Sequence, residues 1–271
     1  MLTVAGCSTT AEPVARPSPQ VDKERQREHL IADCMKRRGF KYIPFITRQD
    51  ALTEVQARRM AGDYSAMHAF RRKYGLQVFA AFVYPFDKDA GGSAAMIENP
   101  NDAITTALSG TQGVAYNADL DTCYAMAVKE TTGKSVRDFT DLYTKFGDAY
   151  MAALERELRS YPRVTKLTAD YAACLRARGY TVKSESPTDI DRVVARVYTG
   201  QLHRIGREQW GKPDSKENFY PTLTAAQAMP YFRREIDAAL EDLECGREFF
   251  PVVLPVQTMV DQRLAMEWGL A

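Results

Sequence analysis

The chain has 271 residues, 45% of them hydrophobic and 26% charged, a balance that supports a packed core and excludes wholesale disorder. Its 36 basic and 35 acidic side chains nearly cancel, so the broad positive field of a nucleic-acid-binding protein is missing. No run reaches the roughly 18 apolar residues of a spanning helix; the longest candidate, Leu76 to Phe86, contains Pro85 and suits a buried strand or core helix segment.

In chain order, the first feature is Val4-Ala5-Gly6-Cys7. An aliphatic residue, two small residues and a cysteine resemble the box that ends a bacterial lipoprotein signal, where the thiol takes a diacylglycerol and two acyl chains give stable anchoring. Met1 to Gly6 is shorter than the roughly 7 to 15 apolar residues of such a signal and is read as its remnant. Residues 7–20 then comprise the lipidated Cys7 and a disordered tether, Ser8 to Gln20, small, polar and broken by Pro13, Pro17 and Pro19. Extended, it would reach roughly 40 Å at about 3.1 Å per residue.

Helices are predicted at Val21–Arg38, Gln49–Ala61, Tyr64–Tyr74, Asp102–Leu108, Asp119–Thr131 and Arg137–Ser160. In the first, Leu30, Ile31 and Met35 share a stripe with Cys34, and Gly39 ends the helix in the left-handed conformation with Phe40 folded back on Met35. Lys36-Arg37-Arg38 and Arg71-Arg72-Lys73 each fall just before a glycine, as cations of a last helical turn. Gly91-Gly92-Ser93 and Asn99-Pro100-Asn101 mark a surface loop, and Gly110 to Asp119 is glycine-containing but lacks the Lys-Ser of a phosphate loop. On the next helix Leu120, Cys123, Tyr124, Ala127 and Val128 share a face.

A second set follows at Thr165–Arg178, Thr188–Gln209, Thr224–Glu244 and Pro255–Trp268. Ala172-Ala-Cys-Leu-Arg-Ala-Arg-Gly-Tyr180 aligns without gaps on Ala32-Asp-Cys-Met-Lys-Arg-Arg-Gly-Phe40, so the same pinned helix end recurs at Cys174, Gly179 and Tyr180. Thr47, Asn101, Thr188 and Thr224 are candidate caps. Trp210 to Pro221 reads as another surface loop. Ile236, Ala239, Leu240 and Leu243 form a stripe, but Cys245 falls about opposite Ile236, beside Ala238 and Phe249. The expected fold is therefore mainly α: helical repeat 1 over 21–160 and helical repeat 2 over 161–271, or one compact domain holding both.

Apart from Cys7 the cysteines are Cys34, Cys123, Cys174 and Cys245, an even number that favours two disulfides. Three pairings exist; the simplest staples each half, Cys34–Cys123 and Cys174–Cys245, and pairing between halves stays open. Their wide spacing lacks the close pairs of a structural zinc site, so no metal is expected. Cys34-Met35, Gly39-Phe40 and Tyr42, repeated with Leu175 and Val182 in the second copy, resemble uncharacterised exported lipoproteins of actinobacteria that carry a duplicated C-M-x-x-x-G-[FY]-x-Y helix. The resemblance implies an envelope location and disulfides, and it supplies no catalytic residues.

No motif of a hydrolase, zincin or P-loop enzyme occurs, and His29, His68 and His203 read as helical rather than catalytic. Asp119, Asp121, Asp237, Glu241 and Glu244 read as solvent-facing acids of amphipathic helices. Phe79, Phe82, Tyr84, Phe86, Trp210, Phe219, Tyr220, Phe249 and Phe250 are expected mostly in the core, with a few lining a groove for a protein or glycan. The expectation is a lipid-anchored, extracytoplasmic binding or scaffolding protein, membrane-bound through Cys7 and requiring no cofactor. An envelope-polymer hydrolase with a carboxylate site and a small-molecule or lipid carrier are the alternatives.

Overall fold

A computed structural model describes residues 19–46, 51–91 and 99–270. Cys7, the tether up to Ser18, the cap at Thr47 and the Gly92-Ser93 pair lie outside the described residues. Within them the chain is mainly α, with no strand: α1 (Pro19–Arg37), α2 (Glu54–Met60), α3 (Tyr64–Tyr74), α4 (Ala80–Val83), α5 (Pro100–Thr106), α6 (Gly110–Thr132), α7 (Phe139–Arg159), α8 (Pro162–Ala177), α9 (Val193–Gln209), α10 (Ala225–Cys245) and α11 (Phe250–Trp268). No helix among these residues is long and apolar enough to cross a membrane.

Helix starts depart from the sequence expectation where capping overrides composition. α1 begins at Pro19, inside the segment read as tether, because a proline in the first turn has no N–H to leave unpaired. α6 begins well before Asp119: Ser109 and Gln112 form a capping box, so Gly110 to Asp119 is helix rather than a phosphate-binding loop. Asn99, not Asn101, caps α5. Thr188 caps no helix; a 3-10 turn at Ile190–Arg192 precedes α9 instead. α11 starts at Phe250 with a proline in its first turn, and Pro255 lies inside it. Thr224 caps α10 through a box with Gln227.

The two recurring helix ends have the same geometry. Phe40 N–H donates to Met35 C=O at 3.0 Å and Gly39 N–H to Lys36 C=O at 3.1 Å; Tyr180 and Gly179 repeat this with Leu175 and Arg176, both at 3.0 Å. This double bond pattern ties off the last carbonyls of a helix and requires the next residue but one to turn left-handed. Gly39 and Gly179 supply φ of +85° and +87°. Just upstream, Cys34 is joined to Cys123 and Cys174 to Cys245, with Cα–Cα distances of 5.6 and 5.4 Å.

α6 lies along α1, α7 packs on α11, and α10 is covered by α3, α4, α8 and α9. α7 also touches α8 as α11 touches α1, so the closing helix of each stretch meets the opening helix of the other. One apolar cluster, built on Ile31, Met35, Tyr116, Leu154, Leu175 and Val260, draws on both stretches. A second holds Tyr74, Phe79, Leu202 and Phe232. α10 runs between them, which explains Cys245: it packs on the first cluster with Ala238 while Ile236 packs on the second. The buried arc of this helix is wide enough to meet both clusters, while Arg233, Asp237, Glu241 and Glu244 keep an exposed edge, so a single-stripe reading fails.

The Trp210 to Pro221 segment returns along α9. Gln209 Nε2 donates to Thr222 C=O at 3.1 Å and Gln209 Oε1 accepts from Thr222 N–H at 2.9 Å. Gly206 permits this approach, since a Cβ there would sit 2.0 Å from the Phe219 carbonyl oxygen. At Gly179 an added Cβ would meet nothing within 4 Å, leaving only the backbone cost. Gly179→Ala is therefore expected to lower stability by about 1 kcal/mol, and Gly206→Ala by about 2 kcal/mol. Urea titration of both variants checks the ranking, and coincident midpoints would remove the steric argument.

Candidate functional site

The fully buried carboxylates are structural. Glu235 accepts backbone N–H bonds from Leu76 (2.7 Å), Val78 (2.9 Å) and Phe79 (2.8 Å), fastening the α3–α4 turn to α10. Asp242 accepts from Arg71 Nη1 at 2.6 Å and Tyr171 OH at 2.5 Å. Arg71, in the last turn of α3 as its run suggested, is thus also drawn inward to a buried partner. Asp237, Glu241 and Glu244 lie away from the cleft described below, and Asp119 pairs with Arg38. His203 is buried against the Phe219 carbonyl (3.3 Å) and the edge of Tyr220, while His29 is exposed. Among the described residues no group of His, Cys, Asp and Glu could hold a metal ion.

A different set of residues comes together in a cleft of about 420 Å³ between α1, α6 and the start of α7. α1 supplies Glu24, Arg27 and Glu28, whose i, i+3, i+4 spacing puts them on one face. α6 supplies Asp121 and Tyr124, and α7 supplies Phe139 and Tyr143 one turn apart. The cystine at Cys34 holds the first two walls together. The turn at Gly39 then sends the chain back along α1: Phe40 meets Tyr116 edge-on at 5.3 Å, and Tyr42 donates its hydroxyl to Glu28 Oε2 at 2.9 Å. Phe45 N–H reaches the same oxygen at 3.0 Å, and Asn101 clamps both backbone groups of Ile43. The last tyrosine of the cysteine-helix motif therefore builds a wall. The second copy has Val182 there.

The floor is polar and incompletely paired. Arg27 Nη1 donates to Gly269 C=O at 2.9 Å and Nη2 stands 3.6 Å from Glu24 Oε1. Arg27 Nε, Glu24 Oε2 and the Tyr124 hydroxyl are buried without a protein partner. Burial pushes the Glu24 carboxyl up, against the pull of Arg27. Burial likewise raises the Tyr124 phenol to about 12 and, with Glu28 beside it, raises that of Tyr42. Both phenols are neutral donors at physiological pH. The rim is aromatic: Phe139 and Tyr143 are 58% and 48% exposed with ring centroids 4.6 Å apart, and Phe139 stands edge-on to Tyr124 at 5.8 Å.

An unpaired buried hydroxyl costs about 1 to 3 kcal/mol, so Tyr124→Phe is expected to raise the stability of the unliganded protein by about 0.5 to 1 kcal/mol. A thermal melt followed by circular dichroism measures this, and a lowered midpoint would mean that the hydroxyl has a structural partner.

None of the nine aromatic residues singled out in the sequence lines this cleft. Phe79, Phe249 and Phe250 are core, while Phe86, Trp210 and Tyr220 are exposed elsewhere. The signal that locates the cleft is in α1 itself. The stripe of Ile31, Cys34 and Met35 continues toward the N-terminus as Arg27, Glu28 and Glu24 without leaving the face. Charges on a core-facing stripe mark a polar site or a buried ion pair. Of the sequence-predicted site residues, the four cysteines of the body are paired as two cystines, and Cys34–Cys123 supports the cleft. The chain matches no protein-family model, no curated protein and no solved structure.

Proposed function

We propose that this chain is a lipid-anchored, extracytoplasmic binding protein of a bacterial envelope, without catalysis of its own, and that the cleft between α1, α6 and α7 is its ligand seat. The observation that carries the reading is the convergence of three unpaired buried polar atoms, on Glu24, Arg27 and Tyr124, beneath an exposed aromatic rim. Folded proteins pair nearly all such atoms; among the described residues seven lack a partner, and three of the seven fall around this one cleft, which suits a ligand that completes them. Location rests on the Val4-Ala5-Gly6-Cys7 box and on two cystines, which persist in oxidising compartments. In this reading the two cysteine-helix stretches descend from one duplicated unit, and the first has kept the tyrosine that shapes the cleft.

The same cleft favours one rival. Glu24, with its carboxyl raised by burial, stands in a cleft that also holds Asp121, the raw material of a carboxylate-based hydrolase of envelope polymers. Expression of the full gene in a bacterial host with an alkyne-labelled fatty acid tests the anchor: label should appear on the protein and vanish in Cys7→Ala. A photo-crosslinker in place of Tyr143 should capture an envelope component in intact cells. An unlabelled, cytoplasmic product or a silent crosslinker contradicts the proposal. Release of envelope fragments abolished by Glu24→Gln would replace it with the hydrolase.

A further inference from the structure

We infer that the ligand of this cleft is a neutral saccharide, an inference that rests on the cleft being a ligand seat and names what it seats. Charge argues first. Glu24, Glu28 and Asp121 line the cleft against one base, Arg27, so a phosphate or carboxylate group would enter against an excess of acids. An organic cation would find aromatic rings and carboxylates, the usual elements of a cation cage. However, the Arg27 guanidinium already lies over the Tyr124 ring, 5.8 Å from its centroid, so that ring face is taken and no complete cage is left for a second cation. A purely apolar ligand would leave the unpaired atoms of Glu24, Arg27 and Tyr124 as they are, at their full desolvation cost.

A sugar ring satisfies all of these constraints together. Its hydroxyl groups each donate and accept, and the floor holds both roles once its side chains turn toward the ligand: Arg27 Nε donates, Glu24 Oε2 accepts, and the Tyr124 hydroxyl does either, all three being closed off from solvent in the unliganded protein. Its C–H face is apolar, and the rim offers two exposed rings, Phe139 and Tyr143, on which such a face packs. Polar floor and aromatic rim are adjacent, because Phe139 touches the Tyr124 ring whose hydroxyl belongs to the floor. The volume of about 420 Å³ lies near the lower end of the roughly 300 to 1,000 Å³ typical of ligand pockets, a fit for one or two sugar rings.

The test is titration of the full chain, followed by NMR and calorimetry, with cellobiose, maltose, N,N′-diacetylchitobiose and trehalose, and with choline chloride and inorganic phosphate as charged probes. At least one disaccharide is expected to bind, and the Phe139→Ala/Tyr143→Ala double variant to weaken it about tenfold or more, since each stacked ring contributes about 0.5 to 1.5 kcal/mol. Both rings are exposed, so the variant should retain its circular dichroism spectrum. Tyr124→Phe should weaken binding with the fold intact. Absence of binding by all four disaccharides, or affinity unchanged in the double variant, overturns the inference. Choline or phosphate binding in place of the disaccharides also overturns it while leaving a ligand seat. A silent crosslinker at position 143 together with no bound probe removes the seat itself.

Discussion

Replacing either cystine by a pair of alanines is expected to lower stability by about 4 kcal/mol. A crosslink acts largely by shrinking the unfolded ensemble, and the effect grows only logarithmically with the loop it closes. The two cystines span 89 and 71 residues, so their contributions should agree to within a few tenths of a kcal/mol. Against a total of about 5 to 15 kcal/mol for an ordinary domain, loss of both would leave little. The two differ in what they hold. Cys34–Cys123 joins α1 to α6, the helices that carry Glu24, Arg27, Asp121 and Tyr124, whereas Cys174–Cys245 joins α8 to α10, which contribute nothing to the cleft. Matched losses of stability with unmatched losses of ligand affinity are therefore expected. Urea titrations of Cys34→Ala/Cys123→Ala and Cys174→Ala/Cys245→Ala, with the disaccharide titration repeated on each, make the comparison. A cost below about 1 kcal/mol for either pair would show that packing alone fixes those helices.

What was legible in the sequence was what local chemistry decides. α3 has the predicted bounds, Tyr64–Tyr74, because Asp63 caps it and Gly75 ends it. The repeated cysteine-helix ends read correctly down to the residues that fold back, since a glycine with a basic residue before it and an aromatic after it leaves few conformations. The pairing of the cysteines was one of three and needed the packing of α1 on α6 and of α8 on α10. A further likeness lay unread. α6 and α10 both open Leu-[Ser/Thr]-x-x-Gln-x-x-x-Tyr, at Leu108 to Tyr116 and Leu223 to Tyr231, and both use the Ser/Thr and Gln as a capping box. The glycines of the first copy obscured it. The cleft was invisible for another reason: its aromatics come from the segment after α1 and from α6 and α7, which only packing brings together, and three of its four charges sit on a helix whose composition is that of a solvated one. Only the phase of those charges, on the stripe of Ile31 rather than opposite it, distinguishes them.

Asp242→Ala is expected to lower stability by about 3 to 5 kcal/mol, although the ion pair it breaks contributes little net energy. Asp242 is inaccessible to solvent, with Arg71 on one oxygen and the Tyr171 hydroxyl on the other. Burial pushes its carboxyl above the ordinary range in spite of both partners, which means that ionising it inside the protein is costly. The loss on mutation comes from what remains. Arg71 would keep its bond to the Ala239 carbonyl and its place over the Phe250 ring, but its charge would be buried without a counter-ion, and Tyr171 would lose its acceptor. If the cost lies in the orphaned partners rather than in the lost attraction, removing all three polar groups should undo it. The triple variant Arg71→Met/Tyr171→Phe/Asp242→Leu keeps the volume and places only apolar atoms between α3, α8 and α10. It is expected to regain most of the loss, ending within about 1 to 2 kcal/mol of the parent. Urea denaturation of the single and triple variants separates the two accounts. A triple variant as unstable as Asp242→Ala would show that the network's own attraction, and not the penalty of breaking it, holds these helices together.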